Sequence, residues 1–594
     1  MHGNYPEMTP DRLLGHYERI ADAPDAVARL RRFILDLAVR GKLVPQDAND
    51  EPASELLKRI AKEKARLVKT GVVRESKGIP ALSETLFSIP AHWRWSQLAE
   101  IGVLSPRNEA LDTLEASFVP MPLIAAEYGV ANQHEIRPWG EIKKGYTHFA
   151  VGDVGLAKIT PCFENGKSTV FRNLTGGLGA GTTELHIVRP LFVDQNYILL
   201  FLKCPHFIKT GVSKMTGTAG QKRVPTEYFA HSPFPLPPLA EQHRIVAKVD
   251  ELMGLCDRLE AARQAREAAR DRLAAASLAR LNTPDPEIFQ ADASFVLDAL
   301  PALTTRPDQI KRLRQTILNL AVRGKLMPQD AKDESAANWL LRPFNSETVG
   351  RGTKVKSFGA TPSDEVKAGY NLAASWLWME LGKLVTVMDA GWSPQCENHA
   401  RSDPETWGVL KTTAVQTLAF DCSQNKELPA KFAPRPQHEA RVGDILVTRA
   451  GPKNRVGISC VVDQTEPRLM ISDKLIRFRL IDGLNPRFFA LTLNAGVTSI
   501  AIEDAKSGMA VMQMNISQDK LRAVPVPLPP LAEQHRIVAK VDALMALCDR
   551  LEASLTATAA TRRRLLDALL AEALAPPQGA SEGYFATIRT AVHA

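Results

Sequence analysis

The chain has 594 residues, 45% hydrophobic and 24% charged, ordinary for a globular protein and long enough for about three to five separately cored units. Its net charge of +8 and pI near 9.0 fit a polyanionic partner without demanding one, because the surplus is small for so long a chain. Seven cysteines without a Cys-x-x-Cys pair argue against a disulfide framework or a zinc site, and the charged opening MHGNYPEMTPDRLLGHYERI and lack of any apolar run near the length of a membrane span predict neither export nor membrane insertion, so the expected location is the cytoplasm.

In chain order, residues 1–80 are predicted to form a helical region containing PDAVARLRRFILDLAVRGKLVPQDANDE, Pro24 to Glu51. That stretch returns as PDQIKRLRQTILNLAVRGKLMPQDAKDE, Pro307 to Glu334, so an internal repeat has to be read before any local element. Residues 81–238 follow as an α/β-mixed domain, with β-leaning runs such as ELHIVRP between turn-rich pieces such as NLTGGLGAGTT. Its end carries PLPPLAEQHRIVAKVD from Pro235, repeated from Pro527. Continued to Ala261 and Ala553, the two copies differ only where Glu251 and Gly254 become Ala543 and Ala546.

Residues 239–345 are predicted to hold a long helix and the returning block. No Gly or Pro lies between Leu255 and Leu281 and Pro284 stands just beyond, so this helix is expected to run some forty residues, roughly 60 Å at about 1.5 Å per residue. Ile245, Val249, Leu252, Cys256 and Leu259 alternate spacings of four and three, a heptad seam; Arg263, Arg266 and Arg270 then move the apolar edge onto Ala262, Ala269 and Leu273. Residues 346–372 read as a linker and 373–530 as a second α/β-mixed domain, with KLIRFRL, DILVTRA and GISCVVD. The match to the first domain is weak but keeps landmarks: HWRWSQLAEIG answers SWLWMELGKLV, and VGDVGLAKIT answers VGDILVTRAG. Residues 531–575 are the second long helix, with seam residues Ile537, Val541, Leu544, Cys548, Leu551, Leu555, Leu565 and Leu569, broken once by Arg562; 576–594 are a flexible tail. The expected fold class is α+β: a pseudo-twofold tandem repeat in which two mixed domains are separated by long helices. Two equivalent long helices in one chain favour intramolecular antiparallel pairing over a surface helix or a homodimeric coiled coil.

Three loops place cations beside small residues: KITPCFENGKSTV, TGTAGQKRVP and TRAGPKNRVG. The candidate DNA contacts are Lys158, Lys167, Lys214, Gln221, Lys222 and Arg223 in the first domain, and Arg449, Lys453, Arg455, Lys506, Gln513 and Asn515 in the second. Arg and Lys suit phosphates and guanine edges, and Gln and Asn suit adenine, although solvated loops carry the same residue types without any ligand. No catalytic or metal-ligating residue is assigned. ENGKST looks like the end of a phosphate-binding loop, but Pro161 stands where its glycine is required. Neither a glycine motif of the kind that cradles S-adenosylmethionine, nor an Asn-Pro-Pro-Tyr or Asp-Pro-Pro-Tyr loop, nor a metal-spaced cluster is recognisable. His243 and His535 lie inside the repeated LAEQHRIV and are expected to pack or cap.

PLPPLAEQHRIVAKVDELMGLCDRLE, LDLAVRGKLVPQDANDEPASELLKRI, GDVGLAKITPCFENGKSTV and GLGAGTTELHIVRP closely resemble the specificity subunit of type I restriction-modification systems, over both repeats and hence nearly the entire chain. The resemblance implies a non-catalytic DNA-recognition subunit. Two target recognition domains, 81–238 and 373–530, would each read one half of a split, asymmetric duplex-DNA target, and the helices would form an antiparallel coiled coil that fixes the gap. It also implies two modification subunits, adenine-N6 methyltransferases, docked on equivalent helical surfaces, with restriction subunits joining through the complex. S-adenosylmethionine, ATP and Mg are then expected on those partners and no cofactor on this chain. From the residues alone, a stand-alone DNA methyltransferase or nuclease and a repeat-type DNA-binding scaffold or regulator stay open as alternatives.

Overall fold

The computed structural model describes residues 22–71, 73, 78–82, 87–218, 220–282, 288–340, 372–508 and 510–574; the expected tail and most of the expected linker lie outside them. The chain divides into two compact units, one formed by residues up to Ala265 together with Ala559 onward, the other by Arg266–Thr558. Both divisions fall inside the long helices, Leu239–Leu281 and Leu531–Leu574. Each unit therefore groups the head of one long helix with the tail of the other, the order that antiparallel partners require.

In the first unit a four-stranded antiparallel sheet runs in the spatial order Gly102–Leu104, Leu185–Pro190, Val154–Ala157, Ser168–Val170. A second sheet joins Glu115–Val119 in parallel to Leu178–Gly181, with antiparallel neighbours Glu135–Pro138 and Thr147–Ala150. The second unit repeats this plan with Val385–Ala390, Leu475–Leu480, Ile445–Thr448 and Ser459–Val461. Its other sheet again holds one parallel pair, Gly408–Leu410 with Leu469–Ile471. The mixed domains thus share a topology that their sequences barely show, because β-sheet pairing constrains the alternation of buried positions far more than residue identity.

Each mixed domain is closed by a ribbon joining its start to its end: Arg94–Ser96 pairs with Phe234–Leu236, and Leu377–Glu380 with Pro525–Leu528. The Pro-rich strand of PLPPL can sit there because a two-stranded edge leaves positions whose missing N–H breaks no ladder. The long helix starts immediately afterwards, and its first turn is bolted down by the motif LAEQHR. In the first unit Trp93 Nε1 and Gln46 Nε2 donate to the Glu241 carboxylate at 2.9 and 2.6 Å. Gln242 accepts from Asp194 N and donates to Pro237 O, and Arg244 forks onto Asp50. His243 stands 3.5 Å from Asp194, the residue that caps helix Gln195–Lys203. The second unit repeats the set: Trp376 and Gln329 on Glu533, Gln534 between Asn485 N and Pro529 O, Arg536 on Asp333, and His535 beside Asn485. Burial raises the pKa of Glu241 and of Glu533, and the donors of Trp and Gln oppose that shift in both. Four consecutive side chains committed to internal bonds tolerate little substitution, which accounts for the identity of EQHR in the two copies.

The seam residues pack against the short helix of their own repeat. Ile245, Val249 and Cys256 are buried with Val27, Ile34, Leu35 and Ala38 of helix Ala26–Val39, and Leu252 and Leu259 lie partly buried at that cluster. Ile537, Val541 and Cys548 are buried with Ile310, Ile317, Leu318 and Ala321 of helix Pro307–Ala321, with Leu544, Leu551 and Leu555 partly buried beside them. Leu569, with Leu565 beside it, closes instead on Ala23 and Ala26. Ion pairs recur at matching positions: Arg31 with Asp257 and Glu260, Arg314 with Asp549 and Glu552. The tail of the other long helix is also held: Arg29 pairs with Asp567 and Arg563 with Asp25 in the first unit, and Arg306 binds Glu267 and Asp271 in the second. Each short helix ends at a glycine in the left-handed region, Gly41 at φ 68° and Gly324 at φ 67°. A Cβ on Gly41 would come within 2.6 Å of Pro90, so both conformation and space demand glycine in the repeated VRGK.

Candidate nucleic-acid interface

The cation-bearing loops, far apart in sequence, meet in pairs at the end of the four-stranded sheets. In the first unit Lys158 continues the strand Val154–Ala157. Its N–H donates to Glu184 O, its carbonyl accepts from Val224 N, and Thr160 N donates to Lys222 O. Thr216 and Arg223 exchange backbone bonds at 3.0 and 2.8 Å. In the second unit Arg449 takes the place of Lys158: Arg449 N donates to Lys474 O and Ile516 N to Arg449 O. Ala450–Gly451 pairs antiparallel with Met514–Asn515. A strand-end turn and a loop after the second helix therefore form one ridge in each unit.

The candidates are not equally free to meet a ligand. Lys214, Gln221 and Lys222 are exposed on the first ridge. Arg223 is clamped by Glu184 through Nε at 2.9 Å and Nη2 at 2.8 Å, and its hydrogen bonds hold the Glu184 carboxyl below the usual range. Lys167 turns away to donate to Met121 O at 3.2 Å. Beneath its turn lies a group not singled out by the sequence patterns, Lys203, which donates to Ala126 O and Gly166 O at 2.7 and 3.0 Å; burial pulls its pKa down to about 7. On the second ridge Gln513 and Asn515 are exposed, and Asn515 Oδ1 accepts from Ser507 Oγ. Lys453 pairs with Glu503 at 3.1 Å, and Lys506 bonds both Glu503 and Lys453 O. Arg455 is structural, donating to Thr412 O, Val415 O and Gln416 Oε1. Arg449 has no ion-pair partner among the described residues.

The equivalent strands Leu185–Pro190 and Leu475–Leu480 bring out one further difference: Glu184 of the first ridge is replaced by Lys474 in the second. The first ridge couples an acid to its arginine, whereas the second sets Lys474 beside Arg449 with no ion pair to either among the described residues. Such ridges offer amide and cation donors for phosphate and base edges. Among the described residues no group of three or more His, Cys, Asp or Glu side chains could hold a metal ion, and no helix is long and apolar enough to cross a membrane.

Residues 440–559, which span the second ridge and the head of the second long helix, match the family model described as type I restriction modification DNA specificity domain. The chain is 47% identical over 557 residues to the Type I restriction enzyme EcoEI specificity subunit of Escherichia coli, covering 92% of this chain and 94% of that one. It is 35% identical over 560 residues to the Type I restriction enzyme EcoAI specificity subunit of Escherichia coli, covering 91% and 93%. Among solved structures, the HsdS subunit from Thermoanaerobacter tengcongensis aligns with 83% of this chain and 99% of its own at 21% identity, with a TM-score of 0.43.

Proposed function

Because the chain belongs to the family of type I restriction enzyme specificity subunits, and so supplies DNA sequence specificity rather than catalysis, we propose that its two mixed domains each read one half of a split, asymmetric duplex target. The observation that carries this reading is the contrast within the repeat. The Trp, Gln and Arg bonds that bolt the long helices are duplicated, while the ridges keep one backbone plan and change their charges, Glu184 against Lys474. Two readers of different sequence on a common frame need that combination.

The duplicated helical blocks serve as equivalent seats for two adenine-N6 methyltransferase subunits, through which restriction subunits join. S-adenosylmethionine, ATP and Mg belong to those partners. Lys158, Lys214, Gln221, Lys222, Arg449, Gln513 and Asn515 are the ridge residues proposed to meet DNA; Arg223 acts through its clamp, and Arg455 and Lys167 hold loops in shape. The test is co-expression with the cognate modification subunit followed by genome-wide mapping of N6-methyladenine. A two-part motif with a fixed gap is expected. Methylation scattered without a motif, or methyl transfer by the purified chain alone, would overturn the reading.

A further inference from the structure

The second ridge does not end at Lys474. Asp473, its neighbour in the turn, exchanges hydrogen bonds with Ser393, and Trp392 N donates to Ile471 O at 3.1 Å. These bonds join the turn that carries Lys474 to the segment that carries Trp392, with Asp473 exposed between them. There the Arg435 guanidinium carbon lies 4.1 Å from the Trp392 ring centroid, and Phe432 meets Trp392 edge to face at 6.0 Å and 89°. Lys431 Nζ stands 5.3 Å from the Phe432 ring centroid. Both cations are exposed, both aromatics are half-buried, and neither cation has an ion pair among the described residues. The loop is stiffened by Pro429, Pro434 and Pro436 and anchored by Arg435 N on Met470 Sδ and by Phe432 N on Pro429 O. In the first domain an arginine also lies over an aromatic ring, but on paired strands and neutralised: Arg137 is 4.2 Å from the Phe118 centroid and bound by Glu135 at 2.5 Å.

An exposed arginine stacked on tryptophan gives up rotamer freedom in advance while keeping its N–H edge outward. With a lysine beside it and no ion pair to either among the described residues, the surface fits a polyanion that also touches Arg449 and Lys474. We propose that Trp392, Phe432, Lys431 and Arg435 form a phosphate clamp of the second recognition domain, gripping the DNA backbone beside the bases read by the ridge. The inference rests on the DNA-reading function proposed above. It assigns to the clamp affinity and register rather than base choice.

The experiment measures binding of the full-length chain to a mixed-sequence 30-base-pair duplex over a series of NaCl concentrations, for the wild type and for Lys431→Ala with Arg435→Ala. Each lost phosphate contact removes about 0.9 from the slope of log affinity against log salt. The double variant should therefore be flatter by nearly two, so that between 50 and 200 mM NaCl it loses about tenfold less affinity than the wild type. The charge-preserving pair Lys431→Arg with Arg435→Lys should restore the wild-type slope, and the methylated motif of the double variant should keep its bases. A double variant with the wild-type slope, a charge-preserving pair as flat as the alanines, or a rewritten motif each overturns the clamp while leaving the DNA-reading function intact. Failure of the wild type itself to bind the duplex overturns both.

Discussion

The two places where a long helix meets its mixed domain carry nearly the same side chains in matching bonds, with Asn485 in place of Asp194, whereas the two ridges share backbone bonds and differ in charge at matching positions. Glu241 and Glu533 are each held by a tryptophan and a glutamine, so a change at any of the three leaves a buried polar group without its partner. Glu184 and Lys474 stand on a surface where replacing one with the other costs little folding energy and alters what the surface attracts. Identity at these bolting positions therefore reflects internal bonding, and divergence falls on the ridges proposed to read DNA.

The most far-reaching way to break that contrast is to exchange residues 81–238 for the corresponding domain of another family member. One half of the methylated motif should change entirely and the other should stay, read by methylome sequencing. Inserting one heptad into a long helix should instead keep both halves and alter the gap, by at most about three base pairs, since seven helical residues add about 10 Å. If the insertion rewrites bases, or the exchange alters both halves, the division into readers and spacer is wrong. On stability, Trp93→Phe and Trp376→Phe should each cost about 1–3 kcal/mol, because each strips a donor from a buried carboxylate. Similar losses in urea unfolding are expected; a much smaller loss at one site would show that the duplicated bonds are unequal in worth.

A subtler comparison lies in the short helices. Asn319 accepts from Gly496 N at the start of helix Gly496–Ala505. Its counterpart Asp36 meets a helix that begins with Pro205, which has no N–H to give, and Asp36 Oδ1 has no hydrogen-bond partner. Burial pushes the Asp36 carboxyl up to about 6. The folded state then keeps a proton that the unfolded chain releases near pH 4, so stability contributed at low pH is lost as pH rises from about 4 to about 6. Asp36→Asn should remove that loss, gaining about 1–3 kcal/mol at pH 7 and little at pH 4, as read by thermal unfolding at the two pH values. An equal gain at both would locate the effect elsewhere. The smallest effect is expected from Glu184→Gln, which frees Arg223: duplex binding should fall about threefold more steeply between 50 and 200 mM NaCl if the arginine gains one phosphate contact. An unchanged slope would leave Arg223 a structural residue.

Much of this was legible before any coordinate. The repeat, the long helices and the two mixed domains follow from identity and spacing, because proline, glycine and heptad positions act locally. Spacing marks an apolar stripe without naming its cover, and so the packing of Ile245 or Ile537 on the short helix of the same repeat emerges only in three dimensions. Residue type likewise proposed Lys167, Arg455 and Lys506 as contacts, but their hydrogen bonds to carbonyls 40 or more positions away depend on loop closure that no local pattern encodes. Trp392 and Arg435 were overlooked for the same reason: neither stands in a motif, and their stacking joins residues 43 positions apart.

Because the unit boundaries fall inside the long helices, the ribosome delivers the first unit in two instalments. Ala23 and Ala26 are covered by Leu566 and Leu569, and Lys42 donates to the carbonyls of Ala573 and Leu574, all made after the whole of Arg266–Thr558 has emerged. At about 5–20 residues per second that delay is roughly 15–60 s. Throughout it Ala23 and Ala26 lack the cover of Leu566 and Leu569. The first mixed domain can close on its own ribbon in that time, but its helical platform is finished only when the last helix arrives.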